Sequence, residues 1–397
     1  MVTALAHDLA DPGFWRLPEP ERLAFFAALR ALDAPVRFGD RATGFHALVR
    51  HADVIEASRH PKIFTSGTGV TTPRPPRWVR AVFGDSMVNL DDPRHGRLRA
   101  VVSKAFTPRV LTGITAGVER LATRIGDDVA AGGTGDFVAD VAGRMPFETI
   151  CDMMGIPPAF RPSVLAQVDH TTDRSGGRWR VPGKSLRALA RLHRVVGAVA
   201  RERRRAPADD LISQLATAGL SARELGSFFS LLLVAGVETT RNTIAHGLHL
   251  LTAHPAQRAL LTGDFDRHAA GFVDEVVRVS SPIIQFRRTL AADYELRGHR
   301  LPAGGDVVLC YPSANRDETV FADPDAFDIT RRPNPHVGFG GGGPHFCLGA
   351  SLARQEVTAM FRELLTRFPE IRSGTPVRAP STFDNRIARL PYTTDPT

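Results

Sequence analysis

The chain has 397 residues, a formal net charge of +8, and a composition that is 43% hydrophobic and 23% charged, the balance of a soluble globular protein with a large core. Its three cysteines, Cys151, Cys310 and Cys347, exclude a disulfide framework and fit a reducing cytoplasm. Asp8 and Asp11 stand where a secretory leader would need a basic start, and the longest apolar run, residues 228–237, is about half a membrane span.

Residues 21–32 predict a short helix, followed by extended residues around 36–38 and 47–49 and a second helix from His51. Residues of about 30–65 therefore form a small β-containing region. Residues 65–76 are rich in Gly, Thr and Pro and read as loop. Loops of that length inside compact domains are often binding loops. No internal repeat or low-complexity tract interrupts the chain.

Asp91-Asp92-Pro93 opens the next helix with an acidic cap and a first-turn proline. On it His95 and Arg99, four apart, share a face and suit an anion such as a carboxylate, unless they are a plain surface pair. Residues 110–205 read as mostly helical, with a break at Gly132-Gly133-Thr134-Gly135 and a polar interruption over 174–183 that is a candidate lid. The run Arg201-Glu202-Arg203-Arg204-Arg205 reads as a solvated helix end. Nucleic-acid binding is disfavoured because no aromatic stacking set accompanies the run, and a basic face for an acidic protein partner stays open.

A long helix runs from Leu220 to Leu251, with Ser221 and Glu224 spaced as a capping box. Its centre is apolar all round, which predicts burial, until Gly236-Val237-Glu238-Thr239-Thr240. Glycine in mid-helix costs about 1 kcal/mol relative to alanine, so a large group is expected to pass close to Gly236. A threonine hydroxyl bonding back to the carbonyl four residues earlier would open the helix locally. An acid beside an alcohol in such a groove suits proton relay; the alternative is a kink with a salt-bridged Glu238. Glu275 and Arg278 follow at i, i+3 on a further helix that Ser281-Pro282 ends. Strand-like runs at 294–296 and 306–310 come next, with turns at 297–299 and 302–305.

Residues 336–349, His-Val-Gly-Phe-Gly-Gly-Gly-Gly-Pro-His-Phe-Cys-Leu-Gly, organise the rest. Consecutive glycines cost backbone entropy unless something approaches the main chain closely. Cys347, ahead of a helix over residues 350–368, is placed to be an anionic ligand stabilised by the helix N-terminus, the alternative being a buried, inert thiol. An extended segment over residues 387–392 closes the chain.

Together these stretches resemble the bacterial cytochromes P450, haem-thiolate monooxygenases, over nearly the whole chain. The signatures are Ala235-Gly236-Val237-Glu238-Thr239-Thr240, the Glu275/Arg278 pair, Pro324 to Phe327, and the Cys347 loop, in the family's order. The resemblance implies a mainly α fold with small β-sheets, with haem b between the long central helix and the Cys loop and following helix. It implies one catalytic domain over residues 1–397, with a helical core of about 90–280. Cys347 resembles the axial thiolate, which pushes electron density to favour O–O cleavage. His345, His95, Arg99 and Arg288 match the propionate donors, and Ala235, Gly236 and Gly349 also match cofactor-contacting positions. Glu238 and Thr239 match the proton-delivering pair, and Glu275 and Arg278 look structural. Val88, Val234, Ala235, Ile284, Phe286 and Phe383 match substrate-pocket positions.

Some positions depart from the family pattern. Gly340 replaces the usual Phe, with Phe339 one position earlier, as in an actinobacterial branch that oxidises sterols and methyl-branched lipids; Val237 stands where that branch commonly has Asn. Ala326 replaces a usual Arg, leaving Arg331 or Arg332 to take its role, and Arg386 replaces a common Gly. The implied reaction is insertion of one oxygen atom from O2 into a C–H bond or alkene. Electrons from NAD(P)H would arrive through a separate ferredoxin and ferredoxin reductase, on a cytoplasmic monomer that binds neither membrane nor nucleic acid. The expected substrate is a bulky apolar secondary metabolite such as a polyketide, macrolactam or terpenoid (antibiotic biosynthesis), by hydroxylation or epoxidation; the alternative is a sterol or branched lipid. A peroxygenase and a haem-binding sensor or carrier without turnover are the rivals.

Overall fold

The computed structural model describes residues 6–395 apart from 42, 73, 75–85, 163, 166–182, 208–210 and 218–219; the candidate lid at 174–182 lies outside these. The chain forms two compact units, the first from Met1–Pro75, Asp274–Cys347 and Ala379–Arg386, the second from Pro76–Val273, Leu348–Arg378 and Ile387–Thr397.

The first unit is built on a five-stranded sheet, in the order Val36–Phe38, Phe45–Leu48, Asp306–Cys310, Gln285–Leu290, Phe64–Thr65. Phe45–Leu48 runs parallel to Asp306–Cys310, and the other pairings are antiparallel. Every residue of Asp306–Cys310 is buried, which is why Val307-Val308-Leu309-Cys310 reads as a continuous apolar run. Alternate side chains point to opposite faces. Val308 and Cys310 join Phe14, Trp15, Phe25, Phe26 and Ile284. Val307 and Leu309 join Val54, Phe64, Leu290 and Val337. The helices Glu19–Arg30 and His51–Arg59 thus begin close to where their apolar patterns predict. The predicted turn at 297–299 joins the strands Tyr294–Leu296 and His299–Leu301, with positive φ at Arg297 and Gly298.

The second unit is mostly helical. Its long helix is three contiguous pieces, Ala222–Leu232, a π-helical turn Leu233–Val237, and Glu238–Ala253. Ser221 caps it as expected: its Oγ accepts from the Glu224 amide at 3.2 Å while Glu224 Oε2 accepts from the Ser221 amide at 3.0 Å. Gly247 lets Glu238–Ala253 meet the Phe272–Phe361 ring pair, whose centroids are 4.8 Å apart; a Cβ there would lie 2.7 Å from Phe361 Cζ. Gly132-Gly133 ends the helix Pro108–Gly132, but the following residues differ from a plain loop. Thr134–Asp136 is a strand paired with Pro391–Thr393, which in turn pairs with Arg372–Ser373. No helix among the described residues is long and apolar enough to cross a membrane.

Candidate active site

In the first unit the Cys loop rests on the helix His51–Arg59. Gly340, Gly342 and Gly343 all have positive φ, and a Cβ on Gly343 would collide with the Ser58 carbonyl oxygen. At Gly343 the close approach that the glycine run implies is therefore made by the protein's own helix. The loop is pinned at its start, where the Val337 amide donates to Asn315 Oδ1 at 2.7 Å, and at its end, where the Cys347 amide donates to the Phe339 carbonyl at 2.9 Å.

Cys347 is exposed, whereas Cys151 and Cys310 are buried. Burial pushes both of those thiols up to about 12, so neither is a thiolate at neutral pH. His345 Nε2 lies 3.3 Å from the hydroxyl of Ser66. Arg288 donates to the Arg287 carbonyl at 2.8 Å and stacks over Phe286 at 5.8 Å. Phe286 meets Phe383 edge-on at 5.6 Å. Ile284 is instead a core residue, 2% exposed and packed with the Phe14 cluster.

Beneath the loop, Glu275 accepts two bonds from Arg278, at 2.9 and 2.8 Å, one from the Asp328 amide at 2.9 Å and one from Asn334 at 3.0 Å. Arg331 Nε adds an ion pair at 3.3 Å. Between the two arginines that could replace the one missing at Ala326, it is Arg331 that reaches this carboxylate.

In the second unit, the helix Arg94–Val102 carries His95 and Arg99 one turn apart. Asp92 caps it by accepting from the Gly96 amide at 2.9 Å. Burial, and then the charge of Arg99, hold the His95 imidazole below its usual range, so it is a neutral donor near pH 7. Val88 is half-buried in a short helical turn, Met87–Asn89.

Thr239 Oγ donates to the Ala235 carbonyl at 2.6 Å, at the end of the π-helical turn, so the hydroxyl-opened helix appears where the sequence predicts it. Val234, Gly236 and Thr239 are half-buried and Ala235 is exposed, an uncovered strip on a helix that is otherwise largely buried. A Cβ on Gly236 would sit 3.2 Å from Ile150 Cδ1, so packing within this unit also requires the glycine.

Glu238 is buried and ion-paired with the buried Arg241. This is the salt-bridged alternative, and the helix spacing i, i+3 was the signal that could have found it. Sequence reasoning also missed Ser66, which is 279 positions from His345, and Glu356 on the helix Ala350–Arg367. Burial pushes the Glu356 carboxyl up to about 8, against hydrogen bonding from Thr149 and Thr240.

Each unit by itself carries groups that fit haem. In the first, the uncovered Cys347 sulfur suits iron, and Arg288 and His345 suit carboxylates. In the second, His95 and Arg99 suit carboxylates, and the uncovered strip at Ala235 leaves a surface for a flat ring.

The Cytochrome P450 family matches residues 193–391. A methyl-branched lipid omega-hydroxylase of Mycobacterium tuberculosis is 42% identical, the alignment covering 97% of this chain and 94% of the relative. A steroid C26-monooxygenase of the same species is 36% identical, covering 94% and 88%. Among solved structures, a Mycobacterium marinum cytochrome P450 in complex with pseudoionone superposes with a TM-score of 0.93 at 39% identity, covering 98% of each chain.

Proposed function

Since the chain belongs to the cytochrome P450 family, and is a haem-iron monooxygenase using O2 and electrons from redox partners, we propose that it hydroxylates a methyl end of a bulky apolar lipid. A methyl-branched lipid is the first choice of substrate and a steroid side chain the second. The carrying observation is the 42% identity, along nearly the full length of both chains, to an enzyme named for that reaction. The sterol or branched-lipid alternative is therefore preferred to secondary-metabolite tailoring, and neither epoxidation nor antibiotic biosynthesis finds support among these relatives.

Each unit is assembled from separated stretches of chain, which supports reading residues 1–397 as one catalytic domain. The haem supplies the activation of O2 and the oxygen insertion. Cys347 contributes the sulfur ligand, and the bond from its amide to Phe339 fixes the approach of that sulfur. His345 and Arg288 in the first unit would offer donors to a haem carboxylate, with Ser66 orienting the His345 ring, and His95 and Arg99 would offer such donors from the second. Thr239 has committed its own hydrogen to the Ala235 carbonyl, so its oxygen is left as a hydrogen-bond acceptor for a neighbouring donor. Glu238 is ion-paired with Arg241, so it would have to part from that guanidinium and take up a proton before it could pass one on. Phe286 and Phe383 supply apolar wall. Electrons come from a ferredoxin and its reductase to a monomeric enzyme.

The reading is tested with phytanic acid and cholest-4-en-3-one as ligands and substrates. A haem spin-state change on binding, and a product heavier by one oxygen at a terminal methyl, are expected. Neither ligand shifting the spectrum would refute the substrate class. Cys347→Ala is expected to lose the thiolate-specific absorbance of the reduced, CO-bound protein; retention of that absorbance would remove the ligand assignment.

A further inference from the structure

The loop after Phe64–Thr65 reads from sequence as a candidate binding loop, and its described part is stitched down. Val70 offers its carbonyl to the Arg287 amide at 2.7 Å. The Thr68 and Thr289 hydroxyls lie 2.7 Å apart, Arg74 donates to Thr289 Oγ at 2.9 Å, and Thr382 Oγ donates to the Thr72 carbonyl at 3.1 Å. Three of the residues in these attachments, Thr289, Arg74 and Arg287, meet on one side chain. Asp306 is 7% exposed and accepts from the Thr289 hydroxyl at 2.6 Å and from the guanidinium groups of Arg287 and Arg74.

Proton counting fixes the direction of the chain. An ionised carboxylate only accepts, so the single hydroxyl proton of Thr289 goes to Asp306. Its lone pairs then accept from Arg74 and from Thr68, which must be the donor of that pair. Burial pushes the Asp306 carboxyl up, but bonds from Arg287 and Thr289 and the charges of Arg287 and Arg74 together hold it below the usual carboxylate range. The carboxylate form is therefore the one present near neutral pH.

Along Gln285–Leu290, Arg287 and Thr289 face one side, and Phe286 and Arg288 face the other. Thr382, which holds Thr72, also accepts from Gln285 at 2.7 Å and precedes Phe383. Whatever fixes Arg287, Thr289 and the loop therefore fixes the backbone from which Phe286 and Phe383 project. We propose that Asp306 is a positioning residue for the substrate: acting through Arg287, Thr289 and Arg74, it sets the Phe286–Phe383 wall and straps residues 66–72 and Arg74 against the sheet. The proposal rests on the assignment of Phe286 and Phe383 as substrate contacts.

The test uses the haem-loaded full chain with Arg74→Met, Asp306→Asn and the conservative Arg74→Lys. Arg74→Met removes the exposed arm of the clamp and leaves the buried Arg287–Asp306 pair in place, so it keeps the test valid if Asp306→Asn fails to fold. Hydrogen exchange of peptides covering 64–72, 285–290 and 380–386 is expected to accelerate in Arg74→Met and to recover in Arg74→Lys. The dissociation constants of phytanic acid and of clotrimazole are expected to rise about tenfold, the loss of one charge-assisted bond. KM should move more than kcat, which a merely structural lesion would not produce. If clotrimazole responds and phytanic acid does not bind even the parent enzyme, the substrate reading fails and the positioning role stands. If exchange is unchanged, or exchange rises while both affinities hold, the positioning role is overturned and the substrate reading survives.

Discussion

Glu356→Gln makes a sharp test of the interior of the second unit. The Glu356 carboxyl is fully buried, and burial raises it from 4.5 to about 8 despite the Thr149 and Thr240 hydroxyls. Below the unfolded value both states hold the proton and the residue contributes no pH dependence. As pH rises past that value the unfolded chain releases its proton while the folded chain keeps it, so folding stability falls until the folded group also ionises. At about 1.4 kcal/mol per pH unit, the window from 4.5 to about 8 sets a ceiling of about 5 kcal/mol. A glutamine keeps the size and neutrality of the protonated acid but does not titrate. Denaturation followed at pH 5 and pH 8.5 should therefore show the variant within about 1 kcal/mol of the parent at the lower pH, and about 2–5 kcal/mol more stable at the higher. Comparison at each pH cancels every other titrating group. An offset that does not change with pH, or a parent chain that is the more stable at pH 8.5, would refute the reasoning.

Gly343→Ala should lower stability by more than about 2 kcal/mol and reduce haem retention after purification, because the position combines positive φ with a collision against the Ser58 carbonyl; a thermal scan and the haem-to-protein absorbance ratio measure it. Thr239→Ala, which removes the hydroxyl bonded to Ala235, should cut product formed per NADPH by about tenfold or more while oxygen is still consumed. Unchanged coupling would take the proton-delivery role from Thr239. Ser221→Ala breaks a capping box in which both reciprocal bonds are present, and should cost about 1 kcal/mol in urea denaturation without altering the CO-bound spectrum.

What the sequence determined by itself is the local chemistry. The capping box at Ser221, the opened turn before Thr239 and the turn at Arg297-Gly298 all follow from residue types within a few positions of one another. The same holds for the Glu275–Arg278 pair, which helical spacing brings together. Tertiary structure decided whatever depends on partners distant in the chain. Thr134–Asp136 has little strand propensity and becomes a strand because Pro391–Thr393 pairs with it. Ile284 and Phe286, two positions apart, part company because one packs into the Phe14 cluster and the other against Phe383. Arg331 rather than Arg332 meets Glu275, and Arg74 is held by a carboxylate more than 200 positions away. Local patterns encode hydrogen bonds that close within a turn or two, whereas burial and ion pairing are fixed only when separate stretches of chain exclude water from the same place.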